Sequence, residues 1–172
     1  RWRSPPARAG STGGPERPSP AARPTRDYSA DRRKIPLFVR EGAIVPMDVD
    51  ADVIGLGGAA AKGARTILAW PGPAPTQFRL REDDDAVTVV TARELVDGSE
   101  VTVASAPKPL LLRIRSELAP AEVREDGAPL AQSTLAAVEG GAAGWVYVPE
   151  AKTVVVRLPA HRGPSTVTTK IP

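Results

Sequence analysis

Few residue types in this chain are equipped for chemistry. Its 172 residues include 20 acids, a single histidine (His161), three tryptophans (Trp2, Trp70 and Trp145) and no cysteine. Without cysteine there is no disulfide, no thiol nucleophile and no Cys-ligated metal. A Ser-His-Asp arrangement would have to use His161. That residue sits in Pro159-Ala160-His161-Arg162-Gly163-Pro164, a loop that offers it no orienting partner, so an exposed loop residue is expected. The run Glu82-Asp83-Asp84-Asp85 could give oxygen ligands to Ca²⁺, which takes about six to eight. It lacks the Asp-x-Asp-x-Asp-Gly loop with a distal Glu, and an Asp-rich turn between strands is the preferred reading. Glycosidase chemistry needs two carboxyls on either side of a sugar, and the sequence singles out no such pair. Tryptophan faces can stack on sugars, but Trp70 and Trp145 lie inside strand-like runs, where packing is the expected role.

Val53-Ile54-Gly55-Leu56-Gly57-Gly58-Ala59-Ala60 matches the dinucleotide-binding glycine pattern on the surface only. That pattern works between a strand and a helix. Here the strand would be two or three residues long, and Ala61-Lys62-Gly63-Ala64 runs into another strand-like segment. A flexible loop is expected. No catalytic, cofactor-binding or metal-binding residue is assigned, the substrate-binding residues stay open, and no cofactor is expected.

The elements that would position these residues are strands. Thr66–Trp70, Thr76–Arg81, Ala86–Thr91, Glu100–Ala104, Leu110–Ser116, Ala121–Glu125, Gly144–Pro149, Thr153–Leu158 and Ser165–Lys170 are candidates. Gln77-Phe78-Arg79-Leu80-Arg81 and Leu112-Arg113-Ile114-Arg115 alternate, placing polar and apolar side chains on opposite faces. Pro71-Gly72, Asp83-Asp84-Asp85, Asp97-Gly98-Ser99, Asp126-Gly127 and Gly140-Gly141 punctuate them with turn chemistry. Ala92–Val96 and Leu130–Val138 could each hold a helical turn. Nineteen prolines and fifteen glycines also favour short strands over long helices. The predicted fold is all-β, an antiparallel β-sandwich preceded by a disordered tail.

That tail is residues 1–34, rich in Arg, Pro, Ala, Gly and Ser, with Trp2 and Tyr28 its only large apolar side chains. It cannot bury enough apolar surface to offset ordering, about 1–2 kcal/mol per residue. It holds nine basic and three acidic residues, leaving 14 basic and 17 acidic in the remainder. The chain's basic character therefore belongs to the tail. A nucleic-acid-binding domain would carry its positive stripe on the fold itself, so no nucleic-acid partner is expected. A basic arm for acidic partners is a lesser reading of the tail. Another is a GC-rich gene read out of frame. No run approaches the roughly 18 apolar residues of a membrane span, Arg1–Pro6 has no signal-peptide apolar stretch, and no membrane partner is expected.

At Ile35 the texture changes. The stretch Asp31-Arg32-Arg33-Lys34-Ile35-Pro36-Leu37-Phe38-Val39-Arg40-Glu41-Gly42-Ala43-Ile44-Val45-Pro46-Met47 resembles one near the end of family 31 glycoside hydrolases, the α-glucosidase and α-xylosidase group. There a run of the form Ile-Pro-x-Phe-Val-Arg-x-Gly-Ala-Ile-x-Pro closes the proximal β-sandwich behind the catalytic barrel. Thr66-Ile67-Leu68-Ala69-Trp70-Pro71-Gly72 is similar to the family's apolar strand ending in Tyr-Pro-Gly. Gln77–Asp85 is similar to its Phe-x-Leu-Tyr-Glu-Asp-Asp-Gly, with Arg81 in place of Tyr and Asp85 in place of Gly. The likeness runs from 31 to about 172 and is most specific over 31–47.

The resemblance implies residues 35–47 as the end of a truncated proximal sandwich, 48–64 as a linker and 65–172 as the distal sandwich. It implies a catalytic barrel as partner and hydrolysis of α-glycosides by the parent enzyme. The family's nucleophile lies in a Trp-x-Asp-Met type motif on the barrel. Here Trp2 leads to Ser4, Trp70 to Gly72 and Trp145 to Tyr147, so no catalytic residue carries over and the chain alone is expected to be inactive. The strand Leu37–Val45 would lack its sheet partners. The alternative is a free-standing carbohydrate-binding sandwich with a glycan as partner, held at Trp70 or Trp145.

Overall fold

Alternating and continuous apolar runs together build two stacked sheets. The structure is a computed structural model that describes residues 39–48, 61, 63–81 and 85–172. The tail 1–34, the Gly55–Ala60 pattern and Glu82–Asp84 lie outside the described residues. Eleven strands follow in order: β1 (Ile44–Asp48), β2 (Arg65–Ala69), β3 (Thr76–Arg81), β4 (Val87–Leu95), β5 (Gly98–Val103), β6 (Leu110–Arg115), β7 (Glu122–Glu125), β8 (Ala128–Pro129), β9 (Gly144–Val148), β10 (Thr153–Leu158) and β11 (Ser165–Lys170). Among the described residues one short α-helix, α1 (Leu135–Glu139), precedes β9, and a 3-10 turn (Pro149–Ala151) follows it. The first sheet runs β1-β2-β6-β10-β9, the second β3-β4-β5-β11-β7-β8. All pairings are antiparallel except β2 with β6, which the β3–β5 excursion through the second sheet makes possible. The all-β sandwich expected from the sequence is the architecture found.

In the second sheet the alternation is regular. Thr88, Val90 and Ala92 of β4, Ser99, Val101 and Val103 of β5, and Ser165, Val167 and Thr169 of β11 turn inward and are buried. They meet Ile67, Leu110, Leu112, Ile114, Val154, Val156 and Leu158 of the first sheet in the main core. Removing these aliphatic faces from water is the main force holding the layers together, at about 25 cal/mol per Å².

The first sheet is covered on both faces at its centre, which the alternation in Leu112-Arg113-Ile114-Arg115 does not reveal. Leu111 and Val155 point away from the main core, yet they are fully buried beneath Val138 of α1 and beside Ala61 and Ala64. Arg113, expected on a polar face, is 7% exposed and bonds Glu139 of α1 at 2.5 Å. A continuous apolar run such as Leu110-Leu111-Leu112 marks a strand buried on two sides.

Three further expectations change. The segment Ala92–Val96, read as a possible helical turn, is mostly strand, because β4 continues to Leu95 and pairs with β5 up to Leu95–Gly98. Within Leu130–Val138 a helix does form, shifted to Leu135–Glu139, its first turn capped by the Thr134 hydroxyl accepting from the Ala137 N–H. Of the strand expected over Leu37–Val45, the described residues show β1 from Ile44, paired with β2 from Ile44–Ala69 to Asp48–Arg65. It stands at the edge of its sheet with its other side unpaired among the described residues; residues 37 and 38 lie outside them. No helix among the described residues is long and apolar enough to cross a membrane.

Candidate ligand-binding cleft

Four backbone hydrogen bonds assemble one hollow of the described surface. Gly42, with φ of +80°, ends a turn in which the Ala43 N–H reaches the Arg40 carbonyl. The Gly42 N–H then donates to the Trp70 carbonyl at 2.7 Å, and the Trp70 N–H donates to Ala43 at 2.9 Å. Trp70, just past β2, is thus gripped by its main chain. From the other sheet, the Glu94 N–H donates to the Gly72 carbonyl at 2.7 Å. Glu41, Trp70 and Glu94 therefore line one cleft of about 460 Å³, with Arg115, Glu117, Leu118 and the backbone near Gly98 on its other walls. Trp70 and Arg115 also line an adjoining hollow of about 230 Å³.

Glu117 is held ionised. Its carboxylate accepts from Lys152 Nζ at 2.6 Å and from Arg115 Nη2 at 2.7 Å. Lys152 first, then Arg115, keeps its pKa below the ordinary glutamate value. A carboxyl in that state cannot serve as a general acid near neutral pH. The same shift fixes a pH dependence. A depressed folded-state pKa adds stability that is fully present above the ordinary glutamate range and disappears as pH falls through the lowered value. Glu117→Gln is therefore expected to be less stable than the parent chain at neutral pH. The gap should close on acidification and shrink in high salt, because the pair is exposed. Urea midpoints across acidic and neutral pH check this; a gap that persists in acid contradicts it.

The other candidates separate clearly. Trp145 is 5% exposed inside the main core, and its indole N–H donates to the Leu130 carbonyl at 3.1 Å. It packs, and the stacking role considered for it is ruled out by burial. Trp70 is half-buried and lines the cleft. His161 is not the exposed loop residue expected. Its main chain bridges Ala106 in both directions, at 2.8 and 2.9 Å. Its Nδ1 lies 2.9 Å from the Pro159 carbonyl, which can only accept, so Nδ1 carries the proton. Nε2 is buried with no partner among the described residues. Among the described residues a carbonyl orients the ring and no carboxylate does, so no Ser-His-Asp geometry forms there. Asp85, the described end of the acidic run, adopts a φ of +62° and faces Arg81 at 3.7 Å on the surface, as a turn residue does. Glu41, Glu94, Arg115 and Glu117 were not singled out from sequence. Their association depends on hydrogen bonds between distant segments, which leave no local signature.

No protein-family model matches the chain, and no curated protein matches it. Solved structures do. A GH31 dextranase of Flavobacterium johnsoniae, complexed with isomaltotriose, aligns with a TM-score of 0.64 at 21% identity, over 77% of this chain and 19% of the dextranase. The fold is that of one part of a GH31 enzyme. The cycloalternan-forming enzyme of Listeria monocytogenes, in complex with a pentasaccharide substrate, aligns with a TM-score of 0.66 at 16% identity, over 76% of this chain and 13% of the enzyme. The chain thus spans less than a fifth of either protein.

Proposed function

We propose that this chain is the non-catalytic C-terminal β-sandwich portion of a family 31 glycoside hydrolase acting in carbohydrate metabolism. Its role is structural support of a catalytic barrel that hydrolyses the O-glycosyl bonds of α-glycosides. The observation that carries this reading is a sandwich fold shared with a GH31 dextranase over 77% of this chain and only 19% of that enzyme. Two others support it. The run Ile35–Pro46 follows the family's pattern, and Glu117, one of the acids of the main cleft, is locked in ion pairs. In this reading residues 35–47 end a proximal sandwich, 48–64 link, and 65–172 form the distal one. The pairing of β1 with β2 is the seam between them. The barrel is the partner, buried against the sandwiches through apolar contact.

The test is direct. The purified chain, incubated with maltose, isomaltose and an aryl α-glucoside, is expected to release no sugar above a heat-treated control. Turnover that a single change such as Glu94→Gln abolishes would overturn the proposal.

A further inference from the structure

A sheet edge left open presents N–H and C=O groups with which another chain can pair. The two sheets end at β1 and β9, and at β3 and β8. Three of these ends are blunted. β1 carries Pro46 at its midpoint, and an edge-strand proline turns its missing N–H outward. β8 is two residues long and includes Pro129. On β9 the Trp145 N–H donates to Ala131 and its carbonyl accepts from the Ser133 N–H, so the segment 131–133 covers that edge. β3 has six residues, no proline and no such cover among the described residues.

The register fixes which of its groups are open. The Val89 carbonyl accepts from the Ala104 N–H, just past β5, while the Glu94 N–H donates to Gly72, ahead of β3. Main-chain groups of successive strand residues point to opposite sides, so Thr88, Val90 and Ala92 address β3. They stand opposite Leu80, Phe78 and Thr76. The N–H and C=O groups of Gln77, Arg79 and Arg81 therefore face outward. The side chains of these three are exposed, whereas Phe78 and Leu80 are half-buried on the other face.

Charge then selects the occupant. Arg79 has no ion pair among the described residues, and Arg81 meets only Asp85, at 3.7 Å with both side chains exposed. Neighbouring Arg93 is already paired with Glu100 at 2.8 Å. Alternate side chains on one strand face repeat every ~6.6 Å, so acids two residues apart on an added strand match Arg79 and Arg81. A second copy of β3 aligned about Arg79 sets arginine opposite arginine, which is destabilising.

We propose that β3 is a docking edge for an extended acidic segment of another protein. That segment adds a strand to the second sheet, with Asp or Glu at alternate positions opposite Arg79 and Arg81 and apolar residues between them beside Phe78 and Leu80. Amide hydrogen exchange of the full chain, free and titrated with acetyl-Val-Asp-Val-Asp-Val-amide, reads this directly. In the free chain the amides of Gln77, Arg79 and Arg81 should exchange at least about tenfold faster than those of Phe78 and Leu80. Saturating peptide should slow those three by a similar factor, and 1 M salt should weaken the effect. The same peptide with Lys in place of Asp should bind at least about tenfold more weakly. Arg79→Pro removes one outward N–H without touching the ladder to β4, and should cost about tenfold or more in affinity. If that variant does not fold, Arg79→Glu takes its place with the same expected loss. Four results overturn the proposal: equal exchange of the five amides in the free chain, no slowing by the acidic peptide, equal binding of the Lys peptide or by the variant, or slowing that rises with protein concentration alone, the mark of self-pairing. Because no hydrolysis is read, failure here leaves the inactivity test above untouched.

Discussion

Gly98→Ala is expected to part β5 from β11 and to lower stability by about 3 kcal/mol or more, beyond the usual range for overpacking. A Cβ at Gly98 would lie 1.8 Å from the Thr169 carbonyl oxygen, 2.7 Å from its carbon and 3.2 Å from Lys170 Cα. All three are backbone atoms of the neighbouring strand, so no rotamer change relieves the clash. The strand must move, and three hydrogen bonds are disturbed with it. The Ser99 N–H and hydroxyl both meet the buried Thr169 hydroxyl, at 3.0 and 2.8 Å. The Ile171 N–H donates to Asp97 at 2.8 Å. Buried polar groups left unpaired each add about 1–3 kcal/mol of desolvation penalty. Gly163→Ala is the control, since a Cβ there meets nothing within 4 Å, and its urea midpoint should match the parent's. A Gly98→Ala midpoint equally close to the parent's would contradict the β5–β11 register.

Much of this architecture is legible from the residues. The strands Thr76–Arg81, Thr153–Leu158 and Ser165–Lys170 appear with the bounds expected, because each is β-branched or alternating and bounded by turn residues. Where local preference and tertiary pairing disagree, pairing prevails. Ala92-Arg93-Glu94-Leu95 is made of good helix formers, yet Ala92 sits opposite Val101 and Glu94 opposite Ser99 in the sheet. The two-residue β8 (Ala128–Pro129) carries too little pattern to be seen, and its proline cannot donate to a ladder.

The cleft was legible only in part. Trp70 stood out by type, but its surroundings depend on the Glu41–Gly42 turn and on the bond from Glu94 to Gly72. Those contacts join segments distant in sequence, and the second of them reaches from one sheet to the other, which one-dimensional spacing cannot bring together. The same blindness made His161 look exposed, since its strand-like bridge to Ala106 crosses between loops.

Removing the guanidinium of Arg113 should be the most damaging single charge change in the fold. Arg113 and Glu139 are 7% and 14% exposed, bonded at 2.5 Å between β6 and α1. Both charges have been largely taken out of water and are joined by that one bond, while the buried Arg113 Nε has no hydrogen-bond partner among the described residues. Arg113→Ala leaves the Glu139 carboxylate buried without its partner, and breaking such a pair costs about 3–5 kcal/mol. The five-residue α1 is too short to persist without tertiary contact. Its release would uncover Leu111 and Val155, which it helps bury. The expected observation is a lower urea midpoint together with new protease cleavage within 135–139. The paired change Arg113→Met with Glu139→Leu separates charge from packing. Replacing a buried ion pair by apolar groups of similar size is often neutral or stabilising, so the double variant should recover most of what Arg113→Ala loses. If Arg113→Ala costs less than about 1 kcal/mol, the range of a surface pair, then α1 is not seated on the sheet as described, and the two-sided burial of β6 and β10 fails with it.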